Sequence, residues 1–158
     1  MRIYLAAPLF TMAERHFNRA LAAALTSRLP NTEIILPQDF RVGKFTSFND
    51  RRHAAALYDA CVEAVAKADA VLAVLDGADA DSGVSFETGF ARALGKPVIG
   101  LRTDFRQSQV KGVNIMLAEG CGEVVCHFSF NENLDDLADV LIPHIEKARP
   151  PKHDAPLA

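Results

Sequence analysis

Ala70-Val71-Leu72-Ala73-Val74-Leu75 is an unbroken apolar run held between Asp69 and Asp76. Its length suits a strand, and apolar residues at every position, rather than every second one, mark a strand covered on both faces. That is the middle of a parallel sheet. Toward the N-terminus, residues 50–67 read as a helix with Leu57, Cys61 and Val65 on one side. Before it, Glu33-Ile34-Ile35-Leu36 is a strand stopped by Pro37. Thr11-Met12-Ala13-Glu14 has the spacing of a capping box, and Phe17, Leu21, Leu25 and Leu29 follow at helical intervals. Ile3-Tyr4-Leu5-Ala6-Ala7 is a buried strand closed by Pro8.

Toward the C-terminus, a loop over 76–83 leads into a helix carrying Phe86, Phe90, Ala93 and Leu94, which Gly95-Lys96-Pro97 stops. Val98-Ile99-Gly100-Leu101 is a fourth strand, a short helix starts near Asn114, and residues 123–128 form a fifth strand. Leu134, Leu137, Leu141 and Ile145 mark the last helix. Five strands alternating with helices predict one α/β domain over residues 1–148. Its core is a five-stranded doubly wound parallel sheet, in flavodoxin-like or Rossmann-like order. Residues 149–158, with Pro150, Pro151 and Pro156, read as a loose tail. Neither a repeat nor a second domain is visible.

A chain of 158 residues, 49% hydrophobic and 23% charged, has the composition of a globular domain with a real core. A net charge of -3 argues against a nucleic-acid partner, which calls for a basic face. The densest basic set, Arg41, Lys44, Arg51 and Arg52, reads as a solvated loop, with anion binding as the other use. Cys61, Cys121 and Cys126 are odd in number and show no zinc-ligand spacing, so neither a metal nor a cofactor is expected. His16, His53, His127, His144 and His153 share no ligand or triad spacing and read as structural or exposed. No run reaches the length of a membrane span, and no signal peptide precedes the first strand. The expected location is the cytoplasm.

In a doubly wound sheet the ligand lies beyond the carboxyl ends of the strands. The loops there cover residues 8–12, 37–49, 76–85 and 102–114, and the second is long enough to suggest a function. Dinucleotide, nucleophile-elbow and P-loop fingerprints are all absent. What stands out is Asp79-Ala80-Asp81-Ser82-Gly83-Val84-Ser85-Phe86-Glu87-Thr88-Gly89, which sets several carboxylates at the mouth of the sheet. Glu87, early in a helix, would be favoured in its ionised form by the helix dipole. A shielded carboxylate can attack a sugar anomeric carbon while a second acid, Asp81, protonates the leaving group. The structural alternative is that Asp81 or Ser82 merely caps the helix and Glu87 decorates it.

Tyr4-Leu5-Ala6-Ala7-Pro8-Leu9-Phe10, the stretch from Asp81 to Gly89, Gly95-Lys96-Pro97 and Asn114-Ile115-Met116 together resemble the nucleoside 2-deoxyribosyltransferase family, over residues 3–117. The resemblance implies Glu87 as nucleophile, Asp81 in proton transfer at the base, and Tyr4 orienting the nucleophile. It implies Phe10, Gln38 and Gly83 as substrate contacts, with Asn114 and Met116 belonging to a segment that reaches the sugar in a neighbouring subunit. The partners would be a nucleoside and a free base, and the assembly a homo-oligomer with shared sites. Each residue also has a plain structural reading: Tyr4, Phe10 and Met116 as core, Asn114 as a helix cap, and Asp69 as a cap on the third strand.

Two departures stand against the family pattern. Cys61 occupies a position where an aspartate is common, and the proline-rich C-terminus does not look built to touch a neighbouring sugar. The expected activity is base exchange on a 2′-deoxyribonucleoside by double displacement. The alternatives are hydrolysis of a nucleoside or nucleoside 5′-monophosphate, for which Ser82, Ser85 and Arg102 would offer phosphate contacts, and a nucleotide-sensing domain without turnover.

Overall fold

The computed structural model describes residues 1–43, 47, 50–106 and 112–150. Five strands, β1 (Arg2–Ala6), β2 (Glu33–Ile35), β3 (Ala70–Val74), β4 (Val98–Arg102) and β5 (Glu123–Cys126), form one sheet in the order β2-β1-β3-β4-β5. Every neighbouring pair is parallel. This order is flavodoxin-like, which decides between the two orders expected. The apolar run of β3 occupies the centre, and all its residues are buried. The fifth strand stops at Cys126, two residues short of the expected end.

Alternation along the strands sorts the core into two layers. Ile3, Leu5, Leu72, Val74, Ile99 and Leu101 face one side, where they meet Leu21 and Leu25 of α1 (Met12–Arg28) and Leu137, Leu141 and Ile145 of α5 (Leu134–Lys147). Tyr4, Ala6, Val71, Ala73 and Val98 face the other. That side is covered by α2 (Arg51–Lys67), α3 (Ser82–Ala93) and α4 (Ile115–Gly120). On α3 the inward residues are Val84, Thr88 and Ala91, whereas Phe86 and Leu94 are half exposed.

Each helix start is fixed by a side chain that satisfies amide groups left free by the first turn. Thr11 and Glu14 form the expected capping box on α1. Asp50, Asp81, Asn114 and Asn133 cap α2, α3, α4 and α5. Asp69 instead accepts the Arg2 amide at 2.7 Å, tying β1 to β3 at the end away from the loops.

Arg102, read as a phosphate contact, is only 1% exposed. Its guanidinium donates to the carbonyls of Leu75 at 2.5 Å, Gly77 at 3.0 Å and Arg106 at 2.8 Å. It therefore straps the loop after β3 to the loop after β4 and is not available to an anion in solvent. Lys44, His153 and the tail beyond Pro150 lie outside the described residues.

Gly100 shows how tightly the β4 layer packs. A methyl group there would stand 2.9 Å from Leu75 Cδ1 and 3.2 Å from both Cys121 Sγ and Val124 Cγ2. Gly100→Ala should cost about 1–3 kcal/mol by overpacking. Thermal and urea unfolding should show the loss, with an unchanged transition slope.

Candidate active site

Strand alternation places Tyr4 on the α2–α3 side of β1. There its phenol is fully buried and donates a 2.5 Å hydrogen bond to Glu87 Oε1. Glu87 reaches it because it falls on the inward stripe of α3, where Val84, Glu87, Thr88 and Ala91 follow at i, i+3, i+4 and i+7. A glutamate on a buried helix face is costly unless it is neutral, paired or working.

Glu87 lines a cavity of about 540 Å³ at the carboxyl end of the sheet, and the fully buried Tyr4 phenol holds it from behind. Leu9 and Phe10 enter the wall from the loop after β1. Phe40, Arg41 and Val42 enter from the segment after β2, which begins with a 3-10 turn at Pro37–Asp39. One face of α2 adds His53, Leu57 and Cys61, and the start of α3 adds Asp81 and Gly83. Phe10 is 73% exposed, so it is a rim residue and not a plain core aromatic.

The electrostatics run against the expectation from the helix dipole. Glu87 is the sixth residue of α3, beyond the first turn where the dipole acts. Burial pushes its carboxyl up to about 7; the Tyr4 hydrogen bond opposes that rise and the nearby charge of Asp81 adds to it. Burial and the Glu87 charge together push the Tyr4 phenol far above its ordinary value, so it stays a donor. Cys61, beside Tyr4, is also raised by burial and remains a thiol.

Asp81 unites its two readings. Its Oδ1 accepts from the amides of Gly83 at 2.8 Å and Val84 at 3.1 Å, which caps α3, and the same residue lines the cavity. At Gly83 an added Cβ would stand 3.0 Å from that carboxylate oxygen, so a larger residue would press on the cap. Ser85 Oγ donates to the Asp81 carbonyl at 2.8 Å, so it too serves the turn. Gln38 lines the cavity, but its amide is held from behind, accepting from Asn18 Nδ2 at 3.2 Å and donating to the Arg15 carbonyl at 3.0 Å.

Asn114 and Met116 are not in this cavity. Asn114 Oδ1 accepts from the Met116 amide at 2.9 Å and caps α4. Met116 is 79% exposed, which overturns its reading as core. Two residues were misjudged in the other direction: Arg41 and His53 line the cavity instead of standing apart from it. For His53 the signal was available, since Leu57 and Cys61 extended one helical step back arrive at residue 53.

The model of the nucleoside 2-deoxyribosyltransferase family matches residues 3–137. The chain belongs to this family. Among solved structures it is similar to a conserved protein from Enterococcus faecalis V583, at 26% identity and a TM-score of 0.70, covering 91% of this chain and 98% of that one. It is also similar to a 2-deoxyribosyltransferase from Bacillus psychrosaccharolyticus, at 20% identity and a TM-score of 0.66, covering 88% and 91%. A third is the CMP N-glycosidase of Clostridium botulinum, at 19% identity and a TM-score of 0.55, covering 87% and 98%. One fold is thus shared by this chain, a 2-deoxyribosyltransferase and a CMP N-glycosidase.

The Tyr4–Glu87 hydrogen bond favours the charged carboxylate, so removing it must raise the Glu87 pKa further. If Glu87 must be ionised to react, kcat/KM rises with pH through an acid limb near 7. Tyr4→Phe should shift that limb to higher pH, with most of the activity recovered on its alkaline side. A pH–rate profile of both proteins measures this, and an unmoved limb would separate the limb from Glu87.

Proposed function

We propose that the chain is a nucleoside 2-deoxyribosyltransferase that exchanges the base of a 2′-deoxyribonucleoside by double displacement. The observation that carries this reading is the 2.5 Å hydrogen bond from buried Tyr4 to Glu87, which lines a cavity together with Asp81. Tyr4 fixes one carboxylate oxygen of Glu87 and leaves the other to attack. The second oxygen forms a bond to C1′ as the glycosidic C–N bond breaks and its electron pair leaves with the base. Asp81, through the oxygen its helix cap does not use, relays a proton from solvent to that base. The sugar is then held as an ester on Glu87. A second base attacks C1′ with a ring nitrogen, expels the carboxylate and returns a proton to solvent through Asp81.

A deoxy sugar suits this route, because a 2′-hydroxyl would withdraw electron density from the developing oxocarbenium ion. A nucleoside suits the site better than its 5′-phosphate on two grounds. The amides at the start of α3, an anion-binding position in many folds, are already filled by Asp81. Arg102 is buried and spent on carbonyls.

The assembly follows from the same reading. Asn114 sits beside Ile115 and Met116, both exposed apolar residues, outside the cavity of its own chain. We place this segment against the site of a neighbouring subunit in a homo-oligomer, where Asn114 meets the sugar.

Incubation with deoxyinosine, with and without adenine, followed by chromatography distinguishes the outcomes. Appearance of deoxyadenosine is the expected result. Hypoxanthine alone would make the protein a hydrolase, and an unchanged mixture would make it a binding domain. Glu87→Ala should lower exchange by about three orders of magnitude or more while the far-UV circular dichroism is preserved. Mixing Glu87→Ala with Asn114→Ala subunits should restore activity absent from either alone, since a mixed oligomer contains an intact site. Failure of that rescue after proven subunit exchange would remove Asn114 from the neighbouring site.

A further inference from the structure

The cavity is polar at its two ends for different reasons. Cys61, Leu57 and His53 succeed one another at four-residue steps along α2, so they rule its length at about 6 Å per step. Cys61 stands beside the Tyr4 phenol, at the end where Glu87 and Asp81 gather the carboxylates. Leu57, Leu9 and Phe40 add apolar wall, with Phe10 at the rim, suited to the faces of a flat ring. His53 lies about 12 Å from Cys61 along the helix, in its first turn. Arg41 lines the cavity from the segment that leads to that turn, and it is exposed, which sets it at the outer rim.

Arg41 makes no ion pair among the described residues. A guanidinium has five donors and no acceptor. His53 can offer a donor or an acceptor according to its tautomer, so it does not discriminate. Both ends of the Gln38 amide are engaged with α1, the oxygen by Asn18 and the nitrogen by the Arg15 carbonyl. A base whose glycosidic nitrogen faces Glu87 therefore turns its remote edge toward a group that can only donate.

We propose that Arg41 selects bases presenting a carbonyl oxygen at the edge remote from the glycosidic bond. Deoxyribonucleosides of hypoxanthine, guanine, uracil and thymine are then preferred to those of adenine and cytosine. This rests on reading the cavity as a nucleoside site. A carbonyl accepts a charge-assisted hydrogen bond from Arg41, whereas an exocyclic amino group sets donor against donor. Arg41 is a specificity residue and takes no part in the bond exchange at C1′.

The test compares kcat/KM for deoxyinosine against deoxyadenosine, and for deoxyuridine against deoxycytidine, in wild type and in Arg41 variants. Comparing the ratio between proteins cancels the intrinsic difference between leaving groups. Wild type should favour each oxo base by about tenfold over the ratio in Arg41→Gln, whose amide offers both a donor and an acceptor. Arg41→Lys, still donor-only, should keep the preference. Equal losses on all four substrates in Arg41→Gln would overturn the proposal. So would faster turnover of the 5′-monophosphates with the loss confined to them, since Arg41 would then hold a phosphate. If wild type turns over none of these compounds, the nucleoside reading fails, and calorimetry with free hypoxanthine and adenine still decides base selection. Hypoxanthine binding about tenfold tighter than adenine in wild type, and not in Arg41→Gln, supports it; equal affinities refute it.

Discussion

Burial of the sheet on both faces is the constraint from which the site follows. A one-residue slip of β1 would send every side chain to the opposite face, and both faces are packed against different helices. Ile3 and Leu5 must meet α1 and α5, while Tyr4 and Ala6 must meet α2 and α3. The parity that fills two hydrophobic layers also aims the Tyr4 hydroxyl at α3. On α3 the same logic operates at a period of 3.6, and the inward stripe that packs Val84 and Ala91 carries Glu87 to meet it. Glu87 and the Tyr4 phenol are thus brought together by ordinary core packing, at residues separated by eighty-three positions in the chain.

Glu87 is held between opposing influences. Burial raises its pKa and the repulsion from Asp81 adds to that, while one short hydrogen bond acts in the other direction. A carboxylate with several donors would be securely charged and a poor nucleophile. One with none would stay protonated at neutral pH. A single donor leaves Glu87 ionisable near 7 with an oxygen uncommitted, and Asp81, with one oxygen tied into the cap of α3, is divided in a similar way. Each acid is thus left only half satisfied by its protein partners.

The sequence made the architecture readable because hydrophobic periodicity carries it. The continuous run of β3, the capping box at Thr11 and the breaks at Pro8, Pro37 and Gly95 all correspond to observed boundaries within a residue or two. Strand order was not readable to the same depth, since both doubly wound orders share that pattern. Tyr4, Asp81 and Glu87 stood out through a motif and meet in space. The cavity wall from Phe40 to Val42 has no periodicity to announce it, and its residues become neighbours of the site only through the path of the chain after β2. Met116, expected in the core, is exposed, and Arg102, expected to offer a phosphate contact under the alternative reading, is buried and spent on carbonyls.

Arg102 carries a consequence for how this fold can diverge. Its guanidinium is pinned by carbonyls at Leu75, Gly77 and Arg106, and its Nε finds no acceptor among the described residues. Adding or deleting a residue between Leu75 and Gly77, or before Arg106, would pull a carbonyl away and strand a buried charge. Those two loops are therefore locked in length as well as in shape. Related chains should vary in length elsewhere around the mouth of the sheet.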